Sequence, residues 1–159
     1  MPSEFNRFEK IARAAQRFFP PVPSPDADLH PFDQRNIHAG LPPKVRKLFD
    51  DGHYAESTFE AFKYLDKKVQ QHAGIAESGF KLMMAAFDKN KPLIQLTPLG
   101  TTSEKDEQEG FRFVFAGGVL AIRNPRGHEF SITDDPDVCL DHLAFVSLLI
   151  RRLEDSGFV

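Results

Sequence analysis

Between Tyr54 and Gln71 apolar side chains return every third or fourth residue, at Ala55, Phe59, Phe62, Leu65 and Val69. Charged residues fill the other side: Glu56, Glu60, Lys63, Lys67 and Lys68. That period predicts a helix with one buried face, supported outside by acid–base pairs one turn apart. The same rhythm predicts a helix over Ser3–Phe19 through Phe5, Phe8, Ala12, Ala15 and Phe19, with a basic outer face. A short helix over Pro43–Asp51 should open on proline and break at Gly52. Ser78–Phe87 should bury Leu82, Met83 and Phe87, the methionines filling core space. A helix over Glu104–Arg123 should bury Phe111, Val114, Phe115, Gly118 and Ile122, with Ser103 and Asp106 as its capping box. Gly117 and Gly118 inside it each cost about 1 kcal/mol of helix propensity, which predicts close approach of another helix. The last helix should begin with Asp135 as cap and Pro136 as first residue, and bury Leu140, Leu143, Ser147, Ile150 and Leu153. Strand-like alternation is weak, and Pro92–Thr101 alone reads as a short extended piece or β-hairpin arm. The predicted fold class is mainly α, an antiparallel helical bundle.

Seven of the chain's 12 prolines lie between Pro20 and Pro43, which predicts a helix-free connector wrapped over the surface. The expected organisation is an N-terminal helix and Pro-rich connector over 1–42, then a bundle over 43–159. The stretch from Leu48 to Ser57 resembles one tetratricopeptide hairpin. No second copy stands near the 34-residue spacing of such repeats, so a solenoid is not expected.

A length of 159 residues suits one domain of ordinary size. Phenylalanine supplies 16 of its 18 aromatics, so the core should be Phe-rich. The net charge of −3 excludes a generic polycation that coats nucleic acid, though not a local basic pocket. Residues 1–49 carry 8 basic and 5 acidic groups, and residues 50–159 carry 12 and 18. Cys139, alone, forms no intrachain disulfide and no cysteine-rich zinc site, which points to a reducing, cytoplasmic setting. No apolar run approaches the roughly 20 residues that span a bilayer. The first residues mix Phe with Arg7, Lys10, Arg13 and Arg17, unlike a signal peptide, and Glu4 and Glu9 argue against a mitochondrial presequence.

Candidate chemistry gathers in one stretch, Arg123-Asn124-Pro125-Arg126-Gly127-His128, between the last two long helices. Pro125 should push Asn124 out of helical geometry and leave Arg123 in a final helical turn. Gly127 should permit a tight turn before His128. Arginine presents a permanently charged planar fork suited to phosphate oxygens. Histidine transfers protons near neutrality. Together they could bind or attack a phosphodiester. His30, His38, His53, His72 and His142 have structural readings, and no residues stand at metal-ligand spacing. Cleavage by an attacking 2′-hydroxyl needs one group to take a proton and one to give it. A single well-placed His per chain therefore predicts a homodimer.

Arg123, Asn124 and His128, with four residues between Arg and His, resemble the Arg-X4–6-His signature of the HEPN superfamily. With Gly52-His-Tyr-Ala, Leu82-Met-Met-Ala-Ala-Phe, Gly117-Gly and Arg123-Asn-Pro, residues 43–155 are similar to the Ymh-type conserved hypothetical proteins within that group. The resemblance implies a HEPN-like bundle and a metal-independent endoribonuclease, a toxin or antiviral effector, acting without cofactor as a dimer. It implies that Arg123 holds the scissile phosphate, His128 moves protons and Asn124 orders the cleft. Arg126, at a variable motif position, is expected as an extra phosphate contact. RNA is the implied partner, with an antitoxin or defence-complex subunit as a further one and no membrane. Two alternatives stand beside this reading. One is a non-catalytic RNA- or nucleotide-binding module. The other is a protein-interaction bundle that docks through its N-terminal helix.

Overall fold

The computed structural model describes residues 29–129 and 131–158. The expected helix over Ser3–Phe19 lies outside them. The chain divides into two compact units, residues 1–34 and 35–159. In the first, Pro31–Gln34 forms a four-residue helical turn, α1. This corrects the expectation of a helix-free connector. Pro31 opens the turn, where its missing N–H costs nothing, and the Phe32 N–H donates to His30 Nδ1 at 3.1 Å.

The second unit is a mainly α helical bundle, with no strand among the described residues. Its helices are α2 (Pro43–Asp50), α3 (Tyr54–Ala73), α4 (Gly79–Ala86), α5 (Thr102–Gly118), α6 (Asn124–His128) and α7 (Pro136–Asp155). A π-helical turn, Val119–Arg123, joins α5 to α6. The long helix α3 is central, packing against α2, α4, α6 and α7. Phe62 and Leu65 from α3, Leu82 and Met83 from α4, Phe115 from α5, and Leu143 and Leu149 from α7 are all fully buried. Phe87 stacks on Phe115 with ring centroids 4.3 Å apart. The expected stripe of α7 is buried throughout, from Leu140 to Leu153.

Four local expectations need correction. The cap of α5 is Thr101 with Glu104, two residues before the expected pair. Glu104 N–H donates to Thr101 Oγ1 at 3.2 Å, and Glu104 Oε2 accepts from the Thr101 N–H at 3.0 Å. Glutamate reaches back to the cap where the shorter Asp106 does not. The apolar face of α5 is also narrower than expected: Phe115 and Gly118 are buried, Phe111 and Ile122 half-buried, and Val114 exposed. On α3 likewise, Ala55 and Phe59 are half-buried, and Ser57, Thr58 and Ala61 take inner positions. Finally, Pro92–Thr101 forms no strand. Its backbone is stitched to the bundle by buried Gln108, whose Oε1 accepts from Leu96 N–H at 2.8 Å while Nε2 donates to the Phe87 and Ile94 carbonyls. One side chain thus satisfies backbone groups that a neighbouring strand would otherwise have to meet.

Residues Arg35–Pro42 strap across α7. His38 N–H donates to Ser147 Oγ at 2.9 Å, Arg151 Nη2 donates to the Asn36 carbonyl, and Arg35 pairs with Asp141.

Candidate functional site

The Arg123–His128 stretch is helical throughout, contrary to expectation. Asn124 has φ −63° and ψ −44°, and its N–H donates five residues back to the Val119 carbonyl. The π turn explains how Pro125 is tolerated. A wider turn just before the proline moves the chain off the regular hydrogen-bond ladder that Pro125, having no N–H, cannot extend. The helix therefore bulges instead of ending. Gly127 serves packing, not a turn. A Cβ built there would lie 2.7 Å from Phe59 Cε2, so only glycine lets α6 rest on that ring.

Helical geometry decides which side chains converge. Residues four apart share a face, and residues five apart lie about 140° apart around the axis. Arg123 and Gly127 accordingly both meet Phe59: the Arg123 guanidinium lies over the ring, 5.1 Å from its centroid. His128 falls on another side and is exposed. Within one chain, Arg123 and His128 are not brought onto one face.

The two arginines have opposite surroundings. Arg126 is clamped: its Nε and Nη2 donate to the two carboxylate oxygens of Asp134 at 2.6 Å each, and Nη1 donates to the Ile122 carbonyl at 2.8 Å. Both side chains are largely buried. Arg126, expected as an extra phosphate contact, is engaged in holding the loop between α6 and α7. Arg123 is half-buried, its Nη1 donates to Asn124 Oδ1 at 3.1 Å, and its buried Nε has no partner. Among the described residues no carboxylate forms an ion pair with it. It is a preoriented cation with capacity to spare.

Asp134 touches a second group. His142 Nδ1 lies 3.9 Å from Asp134 Oδ2 and is buried without a hydrogen-bond partner. Burial, reinforced by the nearby Arg126 charge, pushes His142 below its ordinary value, and Asp134 offsets this only in part. Cys139 is fully buried and accepts a long contact from Thr58 Oγ1 at 3.6 Å. Burial pushes its thiol up, which leaves it inert.

Where α2, α3 and α6 meet, a cavity of about 210 Å³ opens, lined by Lys44, Leu48, Glu56, Phe59, Glu60 and Arg126. Lys44 and Lys63 lie 3.0 and 3.4 Å from Glu60 Oε1. Burial alone would raise the Glu60 carboxyl, but the two lysines outweigh it and hold the group below its usual range.

Among the described residues, no group of three or more His, Cys, Asp and Glu side chains is placed to hold a metal ion, and no helix is long and apolar enough to cross a membrane. Residues 35–153 match the profile of a family described as a protein of unknown function, Hypoth_ymh. The chain belongs to that family. No curated protein and no solved structure matches it. The Hypoth_ymh segment contains every residue of the site, from Lys44 to His142. Sequence reasoning missed Asp134, because its bond to Arg126 closes across a loop that follows no helical period. It also missed Phe59 as a platform, although the residue stood in the predicted stripe of its helix.

Proposed function

We propose that this Hypoth_ymh protein is a metal-independent endoribonuclease of HEPN type, a cytoplasmic toxin or antiviral effector whose site is completed by a second copy of the chain. The observation that carries the reading is Arg123. It is a half-buried guanidinium, stacked on Phe59 and steered by Asn124, with an unpartnered Nε and no carboxylate partner among the described residues. A partly buried cation with an unpartnered N–H and no counter-ion is stabilised by an arriving anion. The RNA phosphodiester is that anion.

Arg123 holds the scissile phosphate and stabilises the charge that develops on its oxygens. His128 takes the proton from the ribose 2′-hydroxyl as the 2′-oxygen–phosphorus bond forms. The bond to the 5′-oxygen breaks, and His128 of the partner subunit gives that oxygen its proton. The products are a 2′,3′-cyclic phosphate and a 5′-hydroxyl. Each chain supplies one histidine, set about 140° around the helix axis from its own Arg123, so a second subunit is needed to bring the other histidine to the phosphate. A second reading, an RNA- or nucleotide-binding module without chemistry, draws on that same separation. An antitoxin or defence-complex subunit is the further partner in either case.

The test is purified protein with total RNA in EDTA, beside Arg123→Ala and His128→Ala. The nuclease reading expects cyclic-phosphate ends from wild type. His128→Ala should lose cleavage by about 10²–10⁴-fold while retaining RNA affinity. Arg123→Ala should lose both, and Arg123→Lys should recover little, since a point charge does not replace the fork. Salt-sensitive RNA binding with intact RNA would establish the binding module instead.

A further inference from the structure

The cavity between α2, α3 and α6 stands beside Arg123 and shares a wall with it, because Phe59 both lines the cavity and carries the Arg123 guanidinium. Its charges cancel. Lys44 pairs with Glu60 at 3.0 Å, and Arg126 is neutralised by Asp134 at 2.6 Å. That lining suits a neutral heterocycle and not a second phosphate. A volume of about 210 Å³ falls below the roughly 300 Å³ at which pockets for drug-sized ligands begin. It has room for one planar ring system beside an aromatic side chain, the common way in which single-stranded RNA bases are held.

The remaining carboxylate decides which base. Glu56 stands on α3 one turn before Glu60, with its side chain 62% exposed and only a long contact, 3.9 Å, to His53 Nδ1. An ionised carboxylate accepts hydrogen bonds and donates none. Guanine presents two adjacent donors, N1–H and the N2 amino group, on its Watson–Crick edge, a match for two carboxylate oxygens. Adenine and cytosine set an acceptor beside their amino group, and uracil flanks its single donor with two carbonyls; each places a lone pair against the carboxylate.

We propose that the cavity lined by Leu48, Glu56 and Phe59 is a base-recognition pocket that selects guanine next to the phosphate bound at Arg123. Glu56 is the specificity-determining residue, Phe59 the apolar platform and Leu48 a second apolar wall. The placement of the phosphate rests on the ribonuclease reading, whereas the preference of the pocket for guanine is measurable without any cleavage.

The experiment titrates the guanosine, adenosine, cytidine and uridine 3′-monophosphates into the full chain, with binding read by calorimetry and amide chemical shifts. Guanosine 3′-monophosphate should bind about tenfold or more tightly than the others, the worth of one charge-assisted hydrogen-bond set. Glu56→Gln, an exposed and conservative change, should erase the preference while leaving the other three affinities in place. Arg123→Ala should weaken all four alike, because it removes the phosphate contact. Equal affinities for the four nucleotides, no measurable binding, or a preference that survives Glu56→Gln would each overturn the pocket. Mapping of RNA ends in parallel separates the two ideas. Cleavage without base bias, together with flat nucleotide affinities, leaves the nuclease and removes the pocket. A Glu56-dependent guanine preference with RNA left intact keeps the pocket and removes the nuclease.

Discussion

Arg126 spends its fork on Asp134 and the Ile122 carbonyl, whereas Arg123, three residues earlier, keeps an unpartnered Nε. The difference in environment predicts a difference in what each substitution does. Arg126→Ala leaves the Asp134 carboxylate, 6% exposed, without its counter-ion, and breaking a buried pair in this way costs about 3–5 kcal/mol. Urea denaturation should show that loss, while Arg123→Ala should unfold within about 1 kcal/mol of wild type. Equal losses would mean that Arg123 too is structural. His142 adds a dependence on pH. Its folded pKa is depressed below the ordinary 6.5 by burial and by Arg126, so below pH 6.5 the unfolded chain takes up a proton that the folded chain resists. Its contribution to stability is therefore full above that value and erodes as pH falls toward the folded pKa. The denaturation midpoint of wild type should drop more between pH 7.5 and 5.5 than that of His142→Gln, and parallel drops would remove His142 from the account. The sequence pointed to a structural role for His142 but not to its neighbours, and it did not show the clamp on Arg126. Both depend on Asp134, which reaches Arg126 and His142 only once the loop before α7 has closed.

Helices were legible wherever one apolar stripe meets one partner, as in α7, whose cap and inner face both follow from Asp135-Pro136 and the 3.6-residue period. They were less legible where two rules compete. Proline before a short polar stretch reads as a helix end, but the π turn Val119–Arg123 absorbs Pro125 and carries the chain on as α6. Loop 88–100 hides a different signal, a buried side chain, Gln108, doing the work of a strand partner. The paired glycines of α5 illustrate how far spacing goes. Both predicted close approach, yet only Gly118 has it: a Cβ there would lie 2.6 Å from Phe145 Cε1 and 3.3 Å from Phe62 Cε1, while Gly117 has nothing within 4 Å. Gly118→Ala should therefore cost about 1–3 kcal/mol through overpacking. Gly117→Ala, measured in dilute solution, should instead gain about 1 kcal/mol from helix propensity. Thermal melts of the two variants moving in the same direction would refute this assignment.

At the scale of the whole molecule, the outer face of α5 and the π turn carries Phe113, Val114 and Leu120, respectively 56%, 39% and 54% exposed. Gly110 and Gly117 lie among them with open space around their Cα atoms. At 100° per residue Gly110, Phe113, Val114 and Gly117 fall within roughly 100° of arc, and Leu120 follows on the π turn that ends at Arg123, so the five form one stripe leading to the arginine. An apolar stripe interrupted by glycines admits the backbone of another helix, and the proposed chemistry needs a second histidine. Under the proposed function, the partner expected to meet both needs is a second copy of this chain, packed stripe to stripe. Leu120→Glu places two like charges in such a contact. It should convert a micromolar dimer to monomer in sedimentation while leaving the helical content unchanged, and it should abolish RNA cleavage together with the dimer. Gly117→Ala gives a sharper test, because its two effects oppose each other. The added methyl should stabilise the isolated chain by helix propensity and weaken the dimer by holding the helices apart. A wild-type chain that remains monomeric at these concentrations, or a Leu120→Glu monomer that still cleaves RNA at the wild-type rate, would return the site to a single chain, which carries one such histidine where the proposed cleavage uses two, and would overturn the composite site.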